Sequence, residues 1–385
     1  MAGVGKMGKM GKMGKMGKMG KMGKMGGGSD GPDHAGSPSS TLLNSALISN
    51  RDGIVGYWNG EASAPATKYR PGNGDDDILY LEYDMRANLL DYALHHAFSV
   101  ELRGDSSECG NFEDCKCEPS AVVQVKFLGE PLVEIHQPKK CVFEKQLAYL
   151  RSYADLREDR LSEIHVQLTD LTSFFGSLGY LDSQRRARTV DLLDAVERLA
   201  VYVEMQVKHL CRSARPIDYA AEVQPMIQTP DHSSFPSGHS TESFALATVM
   251  NRLLQRKSAI GEFDASETAT DLNNAAQSFR LAERAAANRT VAGVHFPCDS
   301  AAGAVLGVAL GEAVYALACG YAVEAGTKFT IGNTGNPGEF AETDDLSLNW
   351  VGDAAGLLSF CKPEKDPANG IIRKSWELAH EEWGG

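Results

Sequence analysis

Three short segments of this 385-residue chain carry residue types that could bind and attack a tetrahedral anion. The middle segment, residues 235–240, reads FPSGHS. The upstream segment, 208–216, begins with a lysine and ends with Arg-Pro, and the downstream segment, 289–299, holds an arginine, a histidine and an aspartate. Together they supply cations, a hydroxyl, a glycine N–H, imidazoles and a carboxylate, which are the groups an enzyme needs to hold an oxyanion and attack it.

The first group of candidate residues would bind the anion. Lys208, Arg215 and Arg289 supply fixed positive charge, and arginine adds a planar pair of donors that restricts orientation. Ser237 and the N–H of Gly238 fall where a helix is predicted to begin, so free N–H groups and the positive end of the helix dipole favour the same anion. These residues form the predicted oxyanion-binding set.

The second group would carry out the chemistry. His295 is the candidate nucleophile, because Asp299 lies one helical turn on and can hold one ring nitrogen while the other attacks. His239 lies beside the predicted anion and can protonate a leaving alkoxide and then deprotonate water. His232 is a candidate supporting residue that would lie behind the anion-binding side chains, although a histidine in a turn after Asp231 is also common.

Each residue alone also fits an ordinary helix end or cap, but their joint spacing favours a site. Over residues 208–299 the motifs resemble those of the type 2 phosphatidic acid phosphatase and vanadium-dependent haloperoxidase superfamily, with Asn288 standing where the family usually has serine. The resemblance implies a helical bundle. It also implies oxyanion binding by Lys208, Arg215, Ser237, Gly238 and Arg289, acid and base catalysis by His239, and a nucleophile or vanadium ligand at His295 oriented by Asp299.

The resemblance leaves two activities open. A phosphatase would act on a small phosphorylated substrate through a phosphohistidine and would need no metal or cofactor, whereas a haloperoxidase would hold vanadate at His295 and use halide and peroxide. Length and His232 favour the peroxidase, but Met205, one turn before Lys208, is neither the tryptophan nor the arginine associated with peroxidases there. Phosphatase is the preferred interpretation, and an oxyanion-binding protein without turnover is the third.

Charge and composition exclude some partners. The formal net charge is −13 even though the Lys-Met-Gly repeat at residues 6–26 is basic, so the body of the chain should repel nucleic acid. The repeat has no apolar run that resembles a signal peptide and is predicted to be disordered. The most apolar stretch, Ser300 to Val323, is interrupted by Glu312, so no transmembrane segment is predicted.

These features favour a soluble, cytoplasmic protein, for which the eight cysteines are expected to be reduced. A metal knuckle at Cys109, Cys115 and Cys117 is the less favoured alternative, because the spacing lacks paired CxxC units. Nothing in the sequence indicates the oligomeric state.

The predicted fold class is mainly α: a helical bundle of the acid phosphatase and haloperoxidase type with a small β-hairpin. Helices are expected near 78–100, 184–212, 240–254, 271–288, from Pro297 onward and at 371–383, with two helices between 142 and 212 and the hairpin at 121–135. The predicted units are a disordered tail and linker (1–40), a helical and hairpin layer (41–140), a catalytic domain (141–325) and a C-terminal extension (326–385).

Overall fold

The computed structural model of the protein describes residues 41–60, 78–81, 83–106, 120–182, 184–254, 266–332, 334–367 and 369–384. The Lys-Met-Gly repeat and most of the cysteine-containing loop 104–119 lie outside these described residues. The predictions made for them, including the metal knuckle, therefore remain predictions.

Helices dominate the described residues, which confirms the mainly α prediction. The helices are α1 (Thr41–Ile54), α2 (Tyr83–Ala97), α3 (Lys140–Tyr153), α4 (Arg157–Gln167), α5 (Thr172–Gly176), α6 (Ala187–Cys211), α7 (Pro216–Tyr219), α8 (Gly238–Leu254), α9 (Ser266–Asn273), α10 (Gln277–Val291), α11 (Pro297–Cys319), α12 (Leu348–Ala355) and α13 (Gly370–Glu381). The strands are β1 (Phe98–Ser106), β2 (Ser120–Phe127), β3 (Glu130–His136), β4 (Ala322–Ala325), β5 (Thr327–Ile331), β6 (Glu339–Phe340) and β7 (Ser359–Cys361).

Helix α11 forms the centre of the bundle, with every one of its residues buried. It packs along α8, and its glycines at 303, 307 and 311 recur once per turn on the side facing that helix. A Cβ added at Gly307 would run into the carbonyl oxygen of Thr241 and lie 2.9 Å from the Cβ of Phe244. Because glycine has no Cβ, the two backbones can approach closely enough to bring the starts of α8 and α11 together.

Gly307→Ala should therefore destabilise the protein. The added methyl group meets backbone, which cannot rotate away, so we expect a loss of about 2 kcal/mol in the free energy of unfolding, measured by urea denaturation. Gly356→Ala is the matched control, because its added Cβ would have no neighbour nearer than 3.4 Å and the residue has helical φ. Equal stability of the two variants would contradict the close-packing interpretation.

Helix α11 is also the described helix that is long and apolar enough to cross a membrane by length and composition. Its whole apolar window is buried inside the protein, as expected for a core helix. Its composition therefore reflects helix packing, and the absence of a transmembrane segment remains a prediction.

The predicted hairpin is confirmed as β2 and β3, which pair antiparallel around a turn in which Leu128 and Gly129 both have positive φ. The hairpin belongs to a five-stranded sheet that was not predicted, in the order β1-β2-β3-β5-β6. Strands β5 and β6, from the C-terminal part of the chain, extend it through parallel pairing. The sequence patterns of these two short strands are too weak to predict such long-range pairing.

Several predicted helix boundaries were wrong. The helix expected over 78–100 is α2, which starts later, at Tyr83, and ends where strand β1 begins at Phe98. Leu79 and Tyr80, expected on this helix, precede it and are about half exposed. The helix expected over 271–288 is split into α9 and α10 at Ala275, which has a left-handed φ of 51°. Between 142 and 212 the chain forms α3, α4, α5 and α6 rather than two helices.

The cysteines differ from expectation at one described position. Cys141 is disulfide-bonded, so the expectation of reduced thiols is wrong there. Cys211, Cys298, Cys319 and Cys361 are reduced, as expected. Since disulfides are typical of oxidising compartments, this bond does not favour the predicted cytoplasmic location.

Candidate oxyanion site

Helix α6 carries Lys208 on its last turn, as predicted, with the side chain almost completely buried. The ammonium Nζ donates to the carbonyl oxygens of Ser233 and Ser234 at 3.2 Å and to that of Pro236. These acceptors belong to the loop that leads into α8. The lysine therefore ties the end of α6 to the loop that presents the Ser-Gly-His segment.

Arg215 lies just before α7, where Pro216 occupies the first helical turn and the Arg215 N–H donates to Asp218. Its Nη1 donates to the carbonyl of Val294 at 2.8 Å and lies 3.1 Å from Nε2 of His295. Its Nη2 lies 3.2 Å from Nδ1 of His232. Burial lowers the Arg215 pKa to about 10, so the guanidinium still carries its charge at neutral pH.

His295 and Asp299 lie side by side at the start of α11. Nδ1 of His295 donates to Oδ2 of Asp299 at 3.1 Å, and the same oxygen accepts the Phe296 N–H at 3.0 Å and the Ser234 hydroxyl. Burial raises the Asp299 pKa, while these donors and the charges of Lys208 and Arg215 oppose the rise. With its proton on Nδ1, His295 has a lone pair on Nε2, directed at Arg215.

The Ser-Gly-His segment begins α8, slightly earlier than predicted. The N–H of Ser237 donates to the carbonyl oxygen of Asp299 at 2.8 Å, which joins the middle and downstream motifs. The Ser237 hydroxyl is buried and has no hydrogen-bond partner among the described residues. It is therefore a donor available to a bound oxygen.

Arg289 lies on the last turn of α10 and is fully buried. Its Nη2 donates to Oε1 of Gln167 at 2.8 Å, while Nε and Nη1 find no partner among the described residues. Burial lowers its pKa to about 10, which leaves the group charged at neutral pH. Buried donors without acceptors are energetically costly, so the unpartnered atoms of Arg289 and Ser237 fit a tetrahedral oxyanion that would accept from them.

His239 is half-buried on the first turn of α8, and its Nε2 donates to the main-chain carbonyl of Gln167 at 3.0 Å. Gln167 is the last residue of α4, and it contacts both His239 and Arg289. Sequence analysis missed Gln167 and Ser234. Neither lies in a recognisable pattern, and their roles depend on contacts between segments far apart in the chain.

The predicted site residues form two hydrogen-bonded groups. One joins Lys208 and Arg215 through the loop before α8 and continues to His232, His295, Asp299 and Ser237. The other joins Arg289 and His239 through Gln167. Because Ser237, Gly238 and His239 are consecutive, the first turn of α8 links the groups.

A cavity of about 510 Å³ opens beside this site. Its lining includes Lys208, Arg215 and His232, together with Met205 and Arg212. It lies next to Lys208 and Arg215 and is large enough to hold a small organic group.

Comparison with known proteins shows which family the part of the chain that carries these residues resembles. Residues 195–319 match the PAP2 superfamily model. The chain is 31% identical over 137 residues to decaprenylphosphoryl-5-phosphoribose phosphatase from two strains of Mycobacterium tuberculosis, CDC 1551 / Oshkosh and ATCC 25618 / H37Rv. The match covers 36% of this chain and 66% of each relative, slightly less than two thirds of their length.

Residues 195–319 are similar to the PAP2 superfamily, and the chain is similar to a phosphatase of known activity. The family resemblance inferred from the motifs is therefore confirmed. The matched region contains Lys208, Arg215, Ser237, Gly238, His239, Arg289, His295 and Asp299.

Proposed function

We propose that this protein is a phosphomonoester hydrolase that acts through a phosphohistidine at His295. The observation that carries the proposal is the geometry of that imidazole. Asp299 accepts a hydrogen bond from Nδ1 of His295, and the lone pair of Nε2 is directed at Arg215, a cation that would hold the phosphoryl group. The relatives of the matched region are phosphatases.

In the proposed reaction, the phosphoryl group is held by Lys208, Arg215 and Arg289, together with the Ser237 hydroxyl and the Gly238 N–H. Nε2 of His295 attacks phosphorus as the bond to the leaving oxygen breaks, and that oxygen takes a proton from His239. Water then attacks the phosphohistidine, gives its proton to His239 and releases phosphate. Side-chain cations stabilise the charge, so the reaction as proposed uses no cofactor.

Haloperoxidase activity is the second candidate, because His232 lies 3.2 Å from Arg215 and so belongs to the site. Vanadate has the shape and charge of phosphate and would be held by the same donors, with His295 as its ligand. When bound, it would activate peroxide for halide oxidation. We rank it second because the relatives named above are phosphatases.

One purified preparation tests the ranking in two assays. We expect release of phosphate from p-nitrophenyl phosphate without added metal ion, and no bromination of a dye after vanadate, bromide and peroxide are added. Bromination without hydrolysis would reverse the order. Tungstate binding without either activity would identify a non-catalytic oxyanion-binding protein, and absence of binding would contradict the site itself.

A further inference from the structure

A buried glutamate outside the three motifs lies at the oxyanion site. Glu204 is on α6, one turn before Lys208, and is 1% exposed. A Cβ added to Gly238 would lie 2.6 Å from Oε1 of Glu204 and 2.9 Å from its Cδ. The carboxylate therefore packs directly against the first residue of α8, in space that exists only because Gly238 has no side chain.

This position is electrostatically unusual. A helix start presents N–H groups that have no partner within the helix, together with the positive end of the helix dipole, and the start of α8 is also where the phosphoryl group would bind. Burial lowers the pKa of Arg215 and Glu204 raises it, so the carboxylate also acts on this cation. The next charged or titratable groups after Glu204 on α6 are Lys208 and His209. The adjoining segments add Arg215 before α7, His239 and Glu242 on the first turns of α8, and Asp299 on α11.

The Glu204 carboxylate and a dianion bound at the start of α8 would repel each other strongly, because water is excluded from the site and screening is weak. A buried carboxyl group beside a second anion relieves the repulsion by taking up a proton. As a neutral acid it can then donate a hydrogen bond to an oxygen of the anion. In the absence of an anion, the ionised carboxylate is stabilised by the nearby cations.

We propose that Glu204 takes up a proton when the site binds a doubly charged oxyanion, and thereby makes binding tighter at acidic pH. This inference rests on the proposed role of the site in oxyanion binding. It does not depend on turnover. Glu204 would determine which ionisation state of the substrate is accepted, and His239 and His295 would keep the catalytic roles described above.

Dilute tungstate is a suitable probe, since the unpolymerised anion stays doubly charged between about pH 6 and about pH 8, and any pH dependence of its binding then comes from the protein. We would measure its dissociation constant by calorimetry for the wild type, for Glu204→Gln and for Glu197→Gln. Glu197 is a second buried glutamate on α6, placed near Thr172 and away from the three motifs. At about pH 8 we expect Glu204→Gln to bind tungstate at least about tenfold more tightly than the wild type. At about pH 6 the difference between their dissociation constants should be smaller. Glu197→Gln should follow the wild type.

The number of protons taken up provides a readout that a purely structural role would not change. Titrations in buffers of different ionisation enthalpy should show the wild type taking up more protons per tungstate at about pH 8 than Glu204→Gln, by a difference of up to about one. Glu204→Met, an uncharged side chain of similar length, repeats the comparison should the amide variant not fold. Equal proton uptake, or no gain in affinity in the uncharged variant, would overturn the inference and leave the proposed hydrolase intact. Absence of tungstate binding in every variant would overturn both.

Discussion

His295→Ala should abolish phosphate release, with kcat/KM for p-nitrophenyl phosphate falling by about 10³-fold or more. Alanine removes the nitrogen that attacks phosphorus, and the remaining cations bind the substrate without providing an alternative nucleophile. The loss should appear mainly in kcat, since the nucleophile acts in the reaction step and the anion-binding residues remain. Steady-state kinetics measure both parameters.

Two comparisons make this result specific. His96→Ala removes an exposed histidine on α2, whose Nδ1 lies 2.9 Å from the carbonyl of Tyr92, and should leave the kinetics unchanged. Tungstate should still bind to His295→Ala, because Lys208, Arg215 and Arg289 are retained. Hydrolysis at the wild-type rate in His295→Ala would refute the proposed nucleophile and, with it, the phosphohistidine.

The parts of the site that follow local rules could be predicted from the sequence. Lys208 was expected on the last turn of a helix that stops before Pro216, and α6 ends at Cys211. Pro297 was expected in the first turn of the next helix, and it begins α11, which puts Asp299 one turn from His295. Proline and helical spacing act over a few residues, so short-range reasoning was sufficient.

The residues that complete the site could not be predicted, because they act across the fold. Ser234 and Gln167 contact Asp299 and Arg289 only once α4, α8, α10 and α11 have packed together. Glu204 lies one turn from Lys208 but falls outside the motif, and a glutamate in a helix is usually solvated. The proposed role of Glu204 depends on its packing against Gly238, which has no Cβ, and the spacing of residues in the sequence does not reveal that contact.

Glu312 shows the same limit. In the sequence it interrupts an apolar run and so argues against a transmembrane segment. In the structure it lies in the fully buried α11, where Arg252 donates to it from Nη2 at 2.8 Å and from Nε at 3.2 Å, and the Thr268 hydroxyl also donates. Burial lowers the Arg252 pKa, but the carboxylate of Glu312 outweighs it, so the pKa lies above its usual value. The charge in the apolar helix is therefore paired.

Glu312→Ala should accordingly produce the largest loss of stability proposed for this protein, about 3 to 5 kcal/mol in the free energy of unfolding. The substitution removes the buried carboxylate that pairs with the guanidinium of Arg252, whose side chain is 4% exposed. Among the described residues, Glu267 remains within 3.1 Å, but its side chain is about one third exposed, so its charge is better screened by water. Urea denaturation followed by circular dichroism measures the change, provided that the transition is two-state.

The loss of stability should come from leaving the Arg252 charge buried without Glu312, rather than from losing the net attraction between the two groups. A double substitution separates the two causes. Arg252→Met combined with Glu312→Leu removes both charges at similar volume and should recover most of the stability lost in Glu312→Ala. Glu144→Ala, which breaks an exposed pair with Lys140, should change stability by less than about 0.5 kcal/mol. If the double variant were no more stable than Glu312→Ala, the hydrogen bonds of the pair itself, rather than the buried charge of Arg252, would account for the loss.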